Sequence, residues 1–147
     1  MYRPYGFTLV ELVIVLVLIG VLSALGIGLF ATRGAFSPLV ASQQLASATL
    51  LAQQAALAGH PGATLTVAQT AEAFRFTVGA GTPGARVFEV PRAGASLSGA
   101  SLPLTLSFTP IGALASGAPV ALAFTGDSSY PVCISGLGAV YAGACLP

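Results

Sequence analysis

The chain has 147 residues, enough for about one domain and an appendage. Hydrophobic residues supply 55% of it and charged residues only 6%, against roughly 25% charged in an ordinary soluble domain, which excludes a wholly water-facing surface. The net charge of +1 comes with five arginines that stand apart (Arg3, Arg33, Arg75, Arg86, Arg92), which excludes the basic tract of a nucleic-acid or anionic-lipid surface.

From Phe7 to Ala31 the only ionisable side chain is Glu11. A helix rises about 1.5 Å per residue and the hydrocarbon core is about 30 Å thick, so this run is long enough to span a bilayer. The preceding MYRPYG carries Arg3 and the initiator amine and no apolar segment of its own. A secretory signal removed near Ser23 or Ala24 is the competing reading. It is opposed by the length of the run and by the charge inside it, since a signal core has about 7 to 15 apolar residues. Arg3 and Arg33 flank the run one to a side, and the initiator amine tips the balance toward an inside N-terminus.

A carboxylate at the centre of a spanning helix costs about 2.5 to 3.5 kcal/mol, so Glu11 demands a partner. Cleavage between Gly6 and Phe7 would create one. The new α-amine would lie four residues before Glu11, on the same helix face, and the helix dipole favours an anion near that end. The stretch GFTLVELVIVLVLIG closely resembles the N-terminus of type IV prepilins and type II secretion pseudopilins.

That resemblance implies that a prepilin peptidase cuts after Gly6 and that the new terminal Phe7 is N-methylated. It further implies that Glu11 pairs with the terminal amine of a neighbouring subunit as helices pack into a filament. The implied partners are the inner membrane, the peptidase and other pilin or pseudopilin subunits. The implied location is a single-pass inner-membrane protein with a periplasmic head, then a pilus or pseudopilus. Many pilins bend at a proline near the position of Gly28. Here Gly26 and Gly28 stand there and Pro38 comes later, so a weak, melting-prone segment is expected from Gly26 to Pro38.

Residues 32–60 are expected to continue the helix. Wheel placement puts Phe36, Leu39, Val40, Leu50, Leu51 and Leu57 on one broad stripe for sheet packing, interrupted by Gln43, Ser47 and Gln54. His60, Pro61 and Gly62 end it, with His60 as an exposed helix-end residue near the negative end of the dipole.

Beyond His60 the apolar period changes to two. Leu102, Leu104, Leu106 and Phe108 alternate with polar or small residues, as do Leu65 and Val67, then Phe74, Phe76 and Val78, then Val120, Leu122 and Phe124. Further strands are expected near 86–90, 131–135 and 139–142. Gly/Pro/Ser clusters such as GAGTPG, AGASLSGAS and IGALASGAP separate them. Pro103 within the best strand favours an edge or a bulge. The predicted fold is α+β: a long N-terminal helix, transmembrane in its first half, packed on a small antiparallel head. The expected divisions are a leader 1–6, a membrane helix 7–31, the second half of the helix 32–60 and the β head 61–147. The tail, LAFTGDSSYPVCISGLGAVYAGACLP, is similar to the ending of minor pilins of the GspH/FimT type, including that of mannose-sensitive haemagglutinin pili.

Cys133 and Cys145 are the only cysteines. Outside the cytoplasm they are expected to form a disulfide tying the tail to the preceding strand. Metal binding is the alternative, and two cysteines with one distant histidine fall short of the four ligands of a structural zinc site. No cofactor and no metal are expected. Neither is an enzyme, because Glu72, Glu89 and Asp127 show no paired spacing with His60 or with a Gly-framed serine. Glu72, Arg75, Arg86, Glu89 and Arg92 are expected on solvated strand faces or in weak cross-strand pairs. DNA binding, as in uptake pili, is the alternative function. It is disfavoured because no basic side chain follows Arg92 and the hairpin SGLGAVYAG carries no arginine.

Overall fold

A computed structural model of the chain describes residues 7–31 and 33–146. Gly6 and the remainder of the expected leader lie outside the described residues, as does Thr32. The chain divides into two compact units, Met1–Arg33 and Gly34–Pro147.

In the first unit, helix α1 spans Leu9–Ala31. Its segment Leu9–Gly26 is long and apolar enough to cross a membrane, and none of that segment is buried within the chain. Ser23 fits into this apolar surface because its hydroxyl donates to the Ile19 carbonyl one turn earlier, at 2.7 Å.

In the second unit, helix α2 (Arg33–Leu57) lies against strands β1 (Thr64–Gln69), β2 (Ala73–Val78), β3 (Arg86–Pro91), β4 (Ser96–Ser98), β5 (Leu104–Ser107), β6 (Val120–Thr125), β7 (Ser129–Ile134) and β8 (Val140–Ala142). The strands form two four-stranded antiparallel sheets, in the orders β3-β2-β1-β5 and β4-β6-β7-β8. Strand β4 falls in the stretch expected to be a separator. Its single inward side chain, Leu97, is flanked by serines, too short a pattern to register as an alternation. Pro103 stands just before β5, which is an edge strand.

The two sheets meet through aromatic rings. Phe124 of β6 packs edge-on against Phe74 and Phe76 of β2, with ring centroids 5.2 and 6.2 Å apart. The backbone N–H of Leu97 donates to Gln69 Oε1 at 2.7 Å and fastens the same junction.

Helix α2 turns a different face inward from the one expected. Ala41, Leu45, Ala48, Ala52 and Ala56 are buried in the core, whereas Phe36, Val40, Leu50 and Leu57 are exposed and Leu39 and Leu51 lie half-buried at the margin. The sheets already supply three phenylalanines to the core, so, Leu45 apart, the gap left for the helix suits alanine-sized side chains. Buried Thr49 satisfies its hydroxyl by donating to the Leu45 carbonyl at 2.8 Å.

The described residues from Gly26 to Pro38 are helical on both sides of Thr32. Two glycines cost a helix only about 1 kcal/mol each. Pro38, sixth in α2, is held by burial and by its neighbour Ser37, whose hydroxyl donates to the carbonyls of Pro91 at 2.5 Å and Arg92 at 3.0 Å. The C-terminus of α2 closes with Gly59 in the left-handed region at φ 68°. There the His60 N–H bonds the Ala55 carbonyl and the Gly59 N–H bonds the Ala56 carbonyl, the two reciprocal bonds of a Schellman cap.

Candidate processing and assembly site

The residues singled out for processing and assembly begin the first unit. Phe7 is 81% exposed, immediately before the helix. Thr8 caps that helix: its Oγ1 accepts from the Glu11 N–H at 3.2 Å, and its carbonyl accepts from the Leu12 N–H at 3.2 Å. Thr8-Leu9-Val10-Glu11 therefore has the spacing of a capping box, in which the side chain at the fourth position can reach back to the first residue's N–H. The T-x-x-E spacing was legible in the sequence, and the bond formed is the Thr8 half of the box, its hydroxyl oxygen accepting from the Glu11 backbone N–H. Glu11 is exposed on α1 and forms no ion pair among the described residues. Phe7 and Glu11 thus stand one helical turn apart, with an uninterrupted apolar surface beyond them.

At the opposite end of the sequence, Cys133 of β7 and Cys145 are joined in a disulfide, with Cα atoms 5.1 Å apart across a separation of 12 residues. Cys133 is fully buried and pairs in register with Tyr141 of β8, so the bond closes a loop that contains the β7–β8 hairpin. Beyond Cys145, the Leu146 N–H donates to the Tyr141 hydroxyl at 3.0 Å.

The charged groups of the head are dispersed. Arg75 and Glu89 sit directly opposite on β2 and β3 and form an ion pair, Nε to Oε1 at 2.7 Å, with both side chains about half exposed. The Arg92 guanidinium donates to the carbonyls of Ala95 at 2.7 Å and Thr70 at 2.9 Å. Arg86 and His60 lie together near the C-terminal end of α2, and Asp127 stands in the turn between β6 and β7. Among the described residues no three His, Cys, Asp or Glu side chains gather as a metal site would require.

Residues 1–27 match the family model of the prokaryotic N-terminal methylation motif. Among solved structures, the chain is similar to the type IV minor pilin FimU of Pseudomonas aeruginosa, at 16% identity and a TM-score of 0.52, over 72% of this chain and 92% of that one. At that identity the likeness is one of fold. At the sequence level no curated protein matches this chain. An apolar helix headed by the N-terminal methylation motif is thus followed by a helix-backed antiparallel head similar in fold to FimU.

Proposed function

We propose that the chain is a filament subunit stored in the inner membrane with its head in the periplasm, and that it assembles into a type IV pilus or a type II secretion pseudopilus. In this reading a prepilin peptidase cuts between Gly6 and Phe7, the new amine of Phe7 is methylated, and Glu11 pairs with the terminal amine of an adjoining subunit. The parts then follow the sequence divisions: leader 1–6, membrane helix 7–31, a second helical half 32–60 and the head 61–147. The carrying observation is the exposed apolar helix whose one carboxylate lies four residues after Phe7. In hydrocarbon that carboxylate needs a cation, and a terminal amine produced by cleavage is a fitting one.

Intact-mass measurement of the chain from its native membrane tests the processing step. The expected result is loss of residues 1–6 and one added methyl group on Phe7, whereas an N-terminus near residue 24 refutes the reading. Glu11 needs two variants, because its spacing from Thr8 also fits the fourth position of a capping box. Glu11→Gln keeps a side chain able to bond the Thr8 N–H but removes the charge, and Glu11→Ala removes both. Both variants are expected to be cleaved normally and to be lost from filaments to the same degree. Normal incorporation of Glu11→Gln alone would reduce Glu11 to a local cap.

A further inference from the structure

A groove of about 520 Å³ opens at the C-terminal end of α2, between that helix end and the loop joining β2 to β3. Leu51, Ala55, Pro61 and Val78 make its apolar wall, and His60 and Arg86 are the ionisable groups that line it. No carboxylate lines it, and Arg86 has no acidic partner within ion-pair distance among the described residues. The loop is internally braced: the Thr82 hydroxyl donates to the Gly79 carbonyl at 2.7 Å, and the Ala85 N–H donates to the Thr82 carbonyl at 3.1 Å. The groove therefore presents a fixed apolar wall beside an unneutralised guanidinium, which suits a short turn carrying one carboxylate.

Such a turn exists at the other end of the same head. The β6–β7 hairpin tip, Gly126-Asp127-Ser128, lies at the start of α2, where a side chain at Gly126 would press on the Pro38 ring. Asp127 is exposed there and forms no ion pair among the described residues. The neighbouring Arg92 has its guanidinium committed to two backbone carbonyls, that of Ala95 in its own turn and that of Thr70 between β1 and β2. From Pro38 to Leu57 the helix rises about 30 Å, so the tip cannot fold back into the groove of its own chain. One end of the head is thus cationic and grooved, and the opposite end carries a projecting acid.

We propose that the His60/Arg86 groove receives the Asp127 hairpin tip of a second copy of this chain. The inference rests on the assembly reading above and names a contact between heads within it. Joining opposite ends makes the contact head-to-tail, so each added copy leaves another groove and another tip open and the contact propagates without closing. The apolar wall supplies burial, and the Arg86–Asp127 pair fixes the direction of docking.

The test uses the full chain in phosphatidylcholine liposomes. One population carries Ser128→Cys at the tip and the other Gly84→Cys at the groove rim, both exposed positions, and a short bismaleimide joins them while the native disulfide stays unreactive. The expected result is a cross-linked pair well above that given by Ser98→Cys in place of Ser128→Cys. Adding Arg86→Glu to the groove chain, or Asp127→Arg to the tip chain, should lower the yield at least about tenfold, and combining the two should restore most of it. A yield at the Ser98→Cys level, a yield insensitive to either reversal, or a loss that the combination does not restore overturns the proposal. Retention of the disulfide in each variant, read from mobility without reductant, shows that the head is folded. Intact mass of the same chains from native membranes reports processing separately, so a failure of the assembly reading is distinguishable from a failure of the groove contact.

Discussion

Gln53 is the most consequential polar side chain on α2, and Gln53→Leu measures what it does. Its Nε2 donates to the carbonyl of Gly112 at 2.9 Å and to that of Gly138 at 2.7 Å, so one amide ties the helix to two separate loops. Both glycines are buried, and a side chain at position 138 would collide with the Gly112 carbonyl and with the Gln53 amide itself. Leucine has similar volume and no donor, so the substitution leaves two carbonyls facing an apolar group. An unsatisfied buried acceptor costs about 1 to 3 kcal/mol. Gln53 is only half-buried, which admits some water, so the two together should cost about 2 to 4 kcal/mol. Against a typical stability of about 5 to 15 kcal/mol that is a large loss. Urea unfolding of the full chain in detergent, followed by near-ultraviolet circular dichroism of the head tyrosines, should show a lower midpoint at unchanged slope. Gln43→Leu, on the exposed face of the same helix, should stay within about 0.5 kcal/mol of the parent. If Gln53→Leu behaves like Gln43→Leu, the two carbonyls are not held as described and the fastening of α2 to the loops is wrong.

Replacing Cys133 and Cys145 together by serine should destabilise the head by about 3 kcal/mol, the chain-entropy value for so short a loop, and reductant should then have no further effect on the urea midpoint. Phe124→Ala removes the ring that joins the two sheets and should cost about 3 to 5 kcal/mol, with thermal unfolding as the readout; a loss under 1 kcal/mol would mean the sheets are held elsewhere. The Arg75–Glu89 pair is half exposed, so converting both to alanine should shift stability by less than about 1 kcal/mol, and a larger loss would contradict the solvent screening assumed for it.

The head strands were legible because alternation is a direct imprint of burial. Phe74, Phe76 and Val78 face inward and Arg75 outward, as an antiparallel strand with one wet face requires. The division into two sheets was not legible, since it is set by long-range pairings: β1 with β5, some forty residues away, and β4 with β6 across the β5 segment. Cys133 and Cys145 were legible because only two cysteines exist to be paired. The proposed processing residues, Gly6 and Phe7, are read from a resemblance alone. The physical reading stops at the cost of one carboxylate in an apolar run, and the cap bond from the Glu11 backbone N–H is accepted by the Thr8 hydroxyl without involving that carboxylate.

The inward face of α2 misled sequence reasoning for a reason that bears on function. Large apolar residues ordinarily mark the buried side of a helix, and here all but Leu45 stand at the margin or on the open side. Ala41, Ala48, Ala52 and Ala56 face the core while Phe36 and Leu57 are each 62% exposed. From Gly34 to Gly59 there is no ionisable side chain, so neither face of this helix has the charge that keeps a helix in water. The open positions fall at 36, 40, 43, 47, 50, 54 and 57, alternate steps of four and three that run as one straight stripe. Apolar side chains stand at both ends of the stripe and Gln43, Ser47 and Gln54 along it. A helix patterned by its own head alone would place Phe36 and Leu57 inward and charges outward. Leu45 apart, the core takes alanine-sized apolar side chains from this helix, and Phe36, Val40, Leu50 and Leu57 on the open side lie outside that core.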